Sequence, residues 1–338
     1  MTISKDIIKR LCDVIDSKLS SRISSENQKV ALVDFPKHSN VGDSAIALGE
    51  LEWFKKNTQL RLAYICDIKR YDKDCLKNTV GDGTIFIHGG GNLGDIWPMC
   101  QQFREKIIHD FPENRIIQFP QTIYFQTDAA LERSKKIFND HKHLTLLVRD
   151  QQSLQFAQEN FQSDIDLCPD MAFYIGPVKR KTKPEADIAA LMRTDKEIIK
   201  ASCFKLPDNS LLLDWIEEPQ TFDLRVNKLL IKMFSNHRAK LEFTNHFMIN
   251  GFTNLARHRF ERGCRILEKG KIVCTDRLHG HIMALLLDIP HFLSDNFYGK
   301  LRNFHSCWTS DSDITCICTP TEQQKDIYSE AERLGWIS

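Results

Sequence analysis

Five short apolar runs mark the first half of the chain: "KVALVDF" (29–35), "LRLAYICD" (60–67), "GTIFIH" (83–88), "NRIIQFP" (114–120) and "LTLLVRD" (144–150). Helical patterns lie between them. "AIALGELEWFKK" places Ala47, Leu51 and Phe54 on one face, and further helical segments are expected at 98–110, 128–139 and 152–161. A strand that is apolar throughout is buried on both faces, and strand–helix alternation covers a parallel sheet in that way. A second cycle follows "CPDMAFYIGPVKRKTKPEAD", with strands at "DIAALMR", "SLLLDWI", "KIVCTD" and "PHFLSD". Its helices are expected at "FDLRVNKLLIKMFSNH", "NLARHRFERGCRILEKG" and "GHIMALLLD".

The expectation is an α/β protein of two Rossmann-like domains with parallel sheets and a cleft between them. The first spans 1–175 and the second 176–320, with the boundary falling near 170–185. A C-terminal helix follows at 321–338, capped by Thr319 or Thr321. The basic stretch "PVKRKTKP" reads as a solvated linker.

With 46 basic and 45 acidic residues the net charge is +1, which argues against nucleic-acid binding by bulk charge. An anionic ligand must therefore be held by a local cluster. The eleven cysteines include no C-x-x-C pair, as expected of reduced thiols, and the Cys316/Cys318 C-x-C is poor evidence for a metal. The opening "MTISKDIIKRLCDVIDSKLSSRI" has no apolar signal core, and no stretch approaches the ~20 apolar residues of a membrane span. A cytoplasmic protein is expected.

Ligands of parallel α/β sheets bind beyond the carboxyl ends of the strands. Four loops there have unusual content: "HSNVGDSA" (38–45), "HGGGNLGD" (88–95), "VRDQQS" (148–153) and "CTDRLHGH" (274–281). Gly89, Gly91 and Gly94 spell G-x-G-x-x-G. However, the run follows roughly the third strand rather than the first, and Asp110 falls at a helix end instead of ending the next strand. The bland alternative is a tight strand-to-helix turn with no ligand, and Asn92 and Asp95 in the same turn weigh against it. Arg277 and His279, between a buried strand and an apolar helix, suit an anion at a helix N-terminus. The alternatives are an Asp276–Arg277 ion pair with a packed His279, or His281 as the working imidazole. Arg149 and Asp150 admit a simple pairing, and Asp43 or Ser44 a helix cap.

Taken together, "NVGDSAI", "HGGGNLGDIWP", "FPQTIYF", "VRDQQS", "CPDMAF", "RTDKE", "TDRLHGHIMALLLDIP" and "SDNFYGK" resemble the polysaccharide pyruvyl transferase family, most closely its bacterial exopolysaccharide branch. The resemblance covers about residues 30 to 302. It implies a GT-B-like pair of Rossmann-like domains with the active site in the interdomain cleft. It also implies a reaction in which phosphoenolpyruvate gives its pyruvyl group to a sugar as a ketal.

On this resemblance, Arg277 and His279 hold the donor and Arg149 assists, because a guanidinium fork matches carboxylate and phosphate. His279 is the expected general acid and Asp43 the expected contact to the acceptor. Asn40, Gly89, Gly90, Gly91, Asn92, Asp276 and His281 complete the expected binding set. No cofactor or metal is expected, since arginines can carry the charge. The expected partners are phosphoenolpyruvate and a sugar acceptor; a lipid-linked one would draw the protein to the inner membrane surface. Homo-oligomers stay open. The rival functions are a nucleotide-sugar glycosyltransferase and a non-catalytic ligand-binding protein on the same fold.

Overall fold

The computed structural model describes residues 4–23, 28–193, 204–235, 243–295, 299–318 and 324–337. The five apolar runs form β1 (Gln28–Val33), β2 (Leu60–Ile65), β3 (Ile85–Ile87), β5 (Ile116–Tyr124) and β6 (Leu144–Val148) of one parallel sheet, which also holds β4 (Gly90–Gly94) and β7 (Asp164–Leu167). The order is β2-β1-β3-β5-β6-β7, with β4 also paired to β5. Its helices are α1 (Ser4–Ser20), α2 (Val41–Lys56), α3 (Lys73–Val80), α4 (Pro98–Asp110), α5 (Asp128–Asp140) and α6 (Gln151–Asn160). The two faces of the sheet pack into two separate apolar cores, as a doubly covered sheet requires.

The second sheet holds β8 (Ala186–Leu191), β10 (Leu211–Leu213), β11 (Gly270–Thr275), β12 (His291–Ser294) and β13 (Thr315–Cys318) in the order β10-β8-β11-β12-β13, all parallel. The short strands β9 (Phe204–Lys205) and β14 (Lys325–Asp326) pair with each other. Helices α7 (Phe222–Ser235), α8 (Phe243–Leu267), α9 (Leu278–Leu286), α10 (Lys300–Trp308) and α11 (Ile327–Arg333) complete this part of the chain.

Several local expectations change. The glycine run is not a strand-to-helix turn: Gly90–Gly94 is a strand, and α4 starts only at Pro98. Gly90 and Gly94 both have φ +126, and a Cβ on Gly94 would lie 1.7 Å from the Tyr124 carbonyl oxygen. The dense glycines serve close approach to β5. Helix α2 is capped by Asn40, which accepts from the Gly42 amide at 2.9 Å, rather than by Asp43 or Ser44. Helix α11 is capped by Asp326, while Thr319 and Thr321 lie outside the described residues. The basic stretch stays largely solvated, as expected, although the Glu268 carboxylate accepts from the amides of Lys181 and Thr182.

Helix α8 joins the two sheets' helices into one core. Gly263 is pressed against Val41 of α2 and Met283 of α9, and α8 sends Arg257 to Glu52 at 2.8 Å. Among the described residues, no helix is long and apolar enough to cross a membrane.

Candidate active site

Each sheet reverses its strand order once, between β1 and β3 in the first and between β8 and β11 in the second. Such switch points open a crevice beyond the strand ends. Loops from both line one cavity of about 440 Å³. From the first sheet come His38, Asn40, Asp43, Gly91, Asn92, Trp97, Cys100 and Arg149; from the second, Arg193, Trp215, Asp276, Arg277, Leu278, His279 and, on α10, Leu301. The N-termini of α2 and α9 both open here, at Asn40–Asp43 and at Arg277–His279. Two helix dipoles therefore favour an anion.

Arg149 pairs not with its neighbour Asp150 but with Asp170, Nη1 to Oδ2 at 2.6 Å, and both side chains are almost fully buried. Asp150 instead caps α6 through the Ser153 amide. The same Asp170 oxygen lies 3.5 Å from His279 Nε2, a contact long for a hydrogen bond but short for an ion pair. Burial by itself raises a carboxyl pKa. The His279 contact and the Arg149 charge outweigh that and hold Asp170 well below the carboxylate range. A fixed negative charge thus orients an imidazole and a guanidinium on one wall.

Space confines the His279 ring as well. It stacks so closely on the first turn of α2 that a Cβ on Gly42 would lie 2.4 Å from Nδ1. Opposite, the Arg277 guanidinium stands 5.8 Å above the centre of the Trp215 ring. Asp276 does not serve as a simple partner for Arg277; its Oδ1 accepts from the Arg193 amide at 2.8 Å. Burial raises the Asp276 pKa.

The imidazole alternatives separate in space. His281 does not line the cavity; it is fully buried on the inner side of α9 in a chain of hydrogen bonds. The chain fixes every tautomer once its end is read. His291 Nδ1–H donates to the Ile289 carbonyl (2.7 Å), His281 Nδ1–H donates to His291 Nε2 (2.7 Å), and Thr309 donates to His281 Nε2 (3.0 Å). His305 Nδ1–H then serves Thr309 at 2.8 Å. Burial drives His281 far below the usual histidine range and His291 down to about 4.

The glycines also separate. Gly91 lines the cavity, whereas the Gly89 amide is spent on Glu50 at 2.8 Å and Gly90 is held over Ile46. Glu50 also meets His88 at 2.8 Å. Nearby Asp34 sits at φ +66 in the β1–β3 crevice, pushed up to about 6 by burial against the pull of Arg104 and His88. Asn92 lines the cavity, with its oxygen held by Arg104 and Gln121.

Sequence reasoning did not select Asp170, Arg193, Trp97 or Trp215. The signal for Asp170 was "CPDMAF", where an aspartate at a strand end also caps a short 3-10 helix (Met171–Ile175). Beyond Arg193, "RTDKE" lies outside the described residues.

The model of the family described as "Polysaccharide pyruvyl transferase" matches residues 40–296, which include every cavity residue from Asn40 to His279 named above. Pyruvyl transferase 1 of Schizosaccharomyces pombe is 30% identical over 298 residues, covering 83% of this chain and 70% of its own. EpsO of Bacillus subtilis, which also carries a pyruvyl transferase name, is 30% identical over 286 residues (84% and 86%). A crystal structure of a functionally uncharacterised Klebsiella pneumoniae protein shares the fold at 21% identity and a TM-score of 0.56, over 90% of this chain and 96% of that one. The chain therefore belongs to the polysaccharide pyruvyl transferase family, and is a transferase.

Proposed function

We propose that the protein transfers the enolpyruvyl group of phosphoenolpyruvate to a sugar of an exopolysaccharide or its precursor, forming a pyruvate ketal and releasing phosphate. The observation that carries this reading is the meeting of Arg149, Arg277 and His279, from two sheets, on one cavity with two helix N-termini. On this reading the molecule is a GT-B-like pair of domains. The first, 1–175, presents the acceptor side; the second, 176–320, carries the donor motif.

In the reaction, His279 delivers a proton to carbon 3, and a sugar hydroxyl adds to carbon 2 while its own proton restores the imidazole. The C–O bond to phosphate then breaks, the arginines bearing the departing charge. A second hydroxyl closes the ketal, and its proton leaves with the phosphate. Asp43, near the α2 N-terminus and 3.5 Å from His38, contacts the acceptor. Trp97, more than half exposed on the cavity rim, offers its ring to a sugar face.

Relatives named for pyruvyl transfer weigh against a nucleotide-sugar glycosyltransferase. The test is a phosphate-release assay with phosphoenolpyruvate across bacterial glycan precursors, paired with calorimetric titration of the donor. Arg277→Ala is expected to weaken donor binding by about 2 kcal/mol, the scale of a lost charged hydrogen bond. Unchanged affinity would overturn the donor assignment.

A further inference from the structure

Helix α7 carries apolar residues on its outward face as well as on its inward one. Leu224 and Ile231 are buried, and Phe234 stacks on Phe247 of α8 at 4.5 Å. On the outward side stand Phe222, Val226, Leu229, Leu230 and Met233, exposed by 79, 37, 56, 40 and 53%. At 3.6 residues per turn these five fall within an arc of roughly 100°, facing away from Leu224 and Ile231. Soluble surfaces rarely leave so continuous an apolar ribbon open.

Its edge is basic. Arg225 and Lys232 are exposed along one border of the ribbon. The nearby Glu218 is turned inward, bound to Arg259 at 2.5 Å and Lys228 at 2.8 Å. We propose that this outward face of α7 docks on the surface of an anionic phospholipid bilayer. An apolar ribbon bordered by lysine and arginine matches the boundary between acyl chains and acidic headgroups. An antiparallel two-fold contact between copies through this face would set Arg225 and Lys232 against their own kind, and light scattering tests the parallel one.

The position of α7 gives the contact a purpose. It follows the segment 214–221, whose Trp215 lines the cavity. Arg262 ties that segment to the α2 N-terminus by donating to the carbonyls of Trp215 (2.9 Å), Glu217 (2.9 Å) and Ser39 (2.7 Å). Helix α7 is thus joined directly to a segment that lines the cavity, and only this choice of purpose, a lipid-linked glycan as the acceptor, rests on the pyruvyl transfer reading.

The inference stands apart from the pyruvyl transfer reading, and its test needs no turnover. The full chain is sedimented with vesicles of phosphatidylcholine, with or without phosphatidylglycerol. Binding to the phosphatidylglycerol vesicles is expected, and it should fall by about tenfold in Leu229→Ser/Met233→Ser and in Arg225→Glu/Lys232→Glu. All four positions are exposed, so the fold is untouched. No binding of the parent protein to acidic vesicles, or binding by both variants undiminished from the parent's, would overturn the proposal. So would light scattering that shows a dimer which Leu229→Ser/Met233→Ser dissociates. Calorimetry with phosphoenolpyruvate on the same variants should be unchanged; if the parent protein itself fails to bind it, the pyruvyl reading falls and the vesicle result stands.

Discussion

Asp170 Oδ2 lies 2.6 Å from Arg149 Nη1, with both side chains shut off from solvent, and the same oxygen lies 3.5 Å from His279 Nε2. Removing that charge while keeping the shape leaves a buried guanidinium without its counter-ion. Asp170→Asn is expected to cost about 3 kcal/mol of stability, read by chemical denaturation. Turnover should fall on the order of 10²-fold, because the imidazole loses the group that orients it. Wild-type turnover in this variant would show that Asp170 only supports the fold.

Gly42→Ala tests the packing of His279 without touching its chemistry. Alanine in place of glycine ordinarily favours a helix, by up to about 1 kcal/mol. Here the new methyl carbon would stand 2.4 Å from Nδ1, so the ring must move. Melting temperature should change little while kcat drops by at least about tenfold, since displacements near 1 Å are costly in a positioned site. Unaltered kcat would mean that the ring position does not matter.

The buried histidines give a prediction in pH. His291 titrates at about 4 when folded and near 6.5 when unfolded, and burial lowers His281 in the same sense. The folded state then binds fewer protons, so this contribution is present above about pH 6.5 and is lost as pH falls toward 4. For His291 it amounts to roughly 3 kcal/mol. Asp34, raised to about 6, acts in the opposite sense over much of the same window. Long-range nitrogen NMR separates the two: both rings should remain neutral Nδ1–H tautomers at pH 5.5. An imidazolium signal from either ring at that pH would refute the hydrogen-bond chain.

Trp97→Ala addresses the acceptor. If the ring stacks on a sugar, its loss should raise the acceptor KM by about tenfold and leave donor affinity unchanged. Steady-state kinetics at saturating phosphoenolpyruvate checks this. An unmoved acceptor KM would place the sugar elsewhere.

The doubly wound sheets were legible because burial on both faces writes continuous apolar runs, and "GTIFIH" and "LTLLVRD" could not be much else. The strand at Gly90–Gly94 was hidden because its pairing depends on approach to Tyr124, which no local pattern records. Around the site, Arg277 and His279 were marked by their place between a buried strand and an apolar helix. Asp170 was missed because its partners are 21 residues before it and 109 after it in the sequence. His279 and His281 looked equivalent in one dimension. Two residues of α9, roughly half a turn, send the first toward the cavity and the second into the interior.

Helix α8 has a consequence beyond packing. Its residues follow β10 in sequence, yet Arg259 and Arg262 hold the carbonyls of Lys37 and Ser39, on the loop that leads out of β1. The chain is cross-braced at the base of the cavity, and calorimetric unfolding should show one peak instead of two. Entry and exit of reactants then belong to loops at the rim, not to a swing of whole lobes.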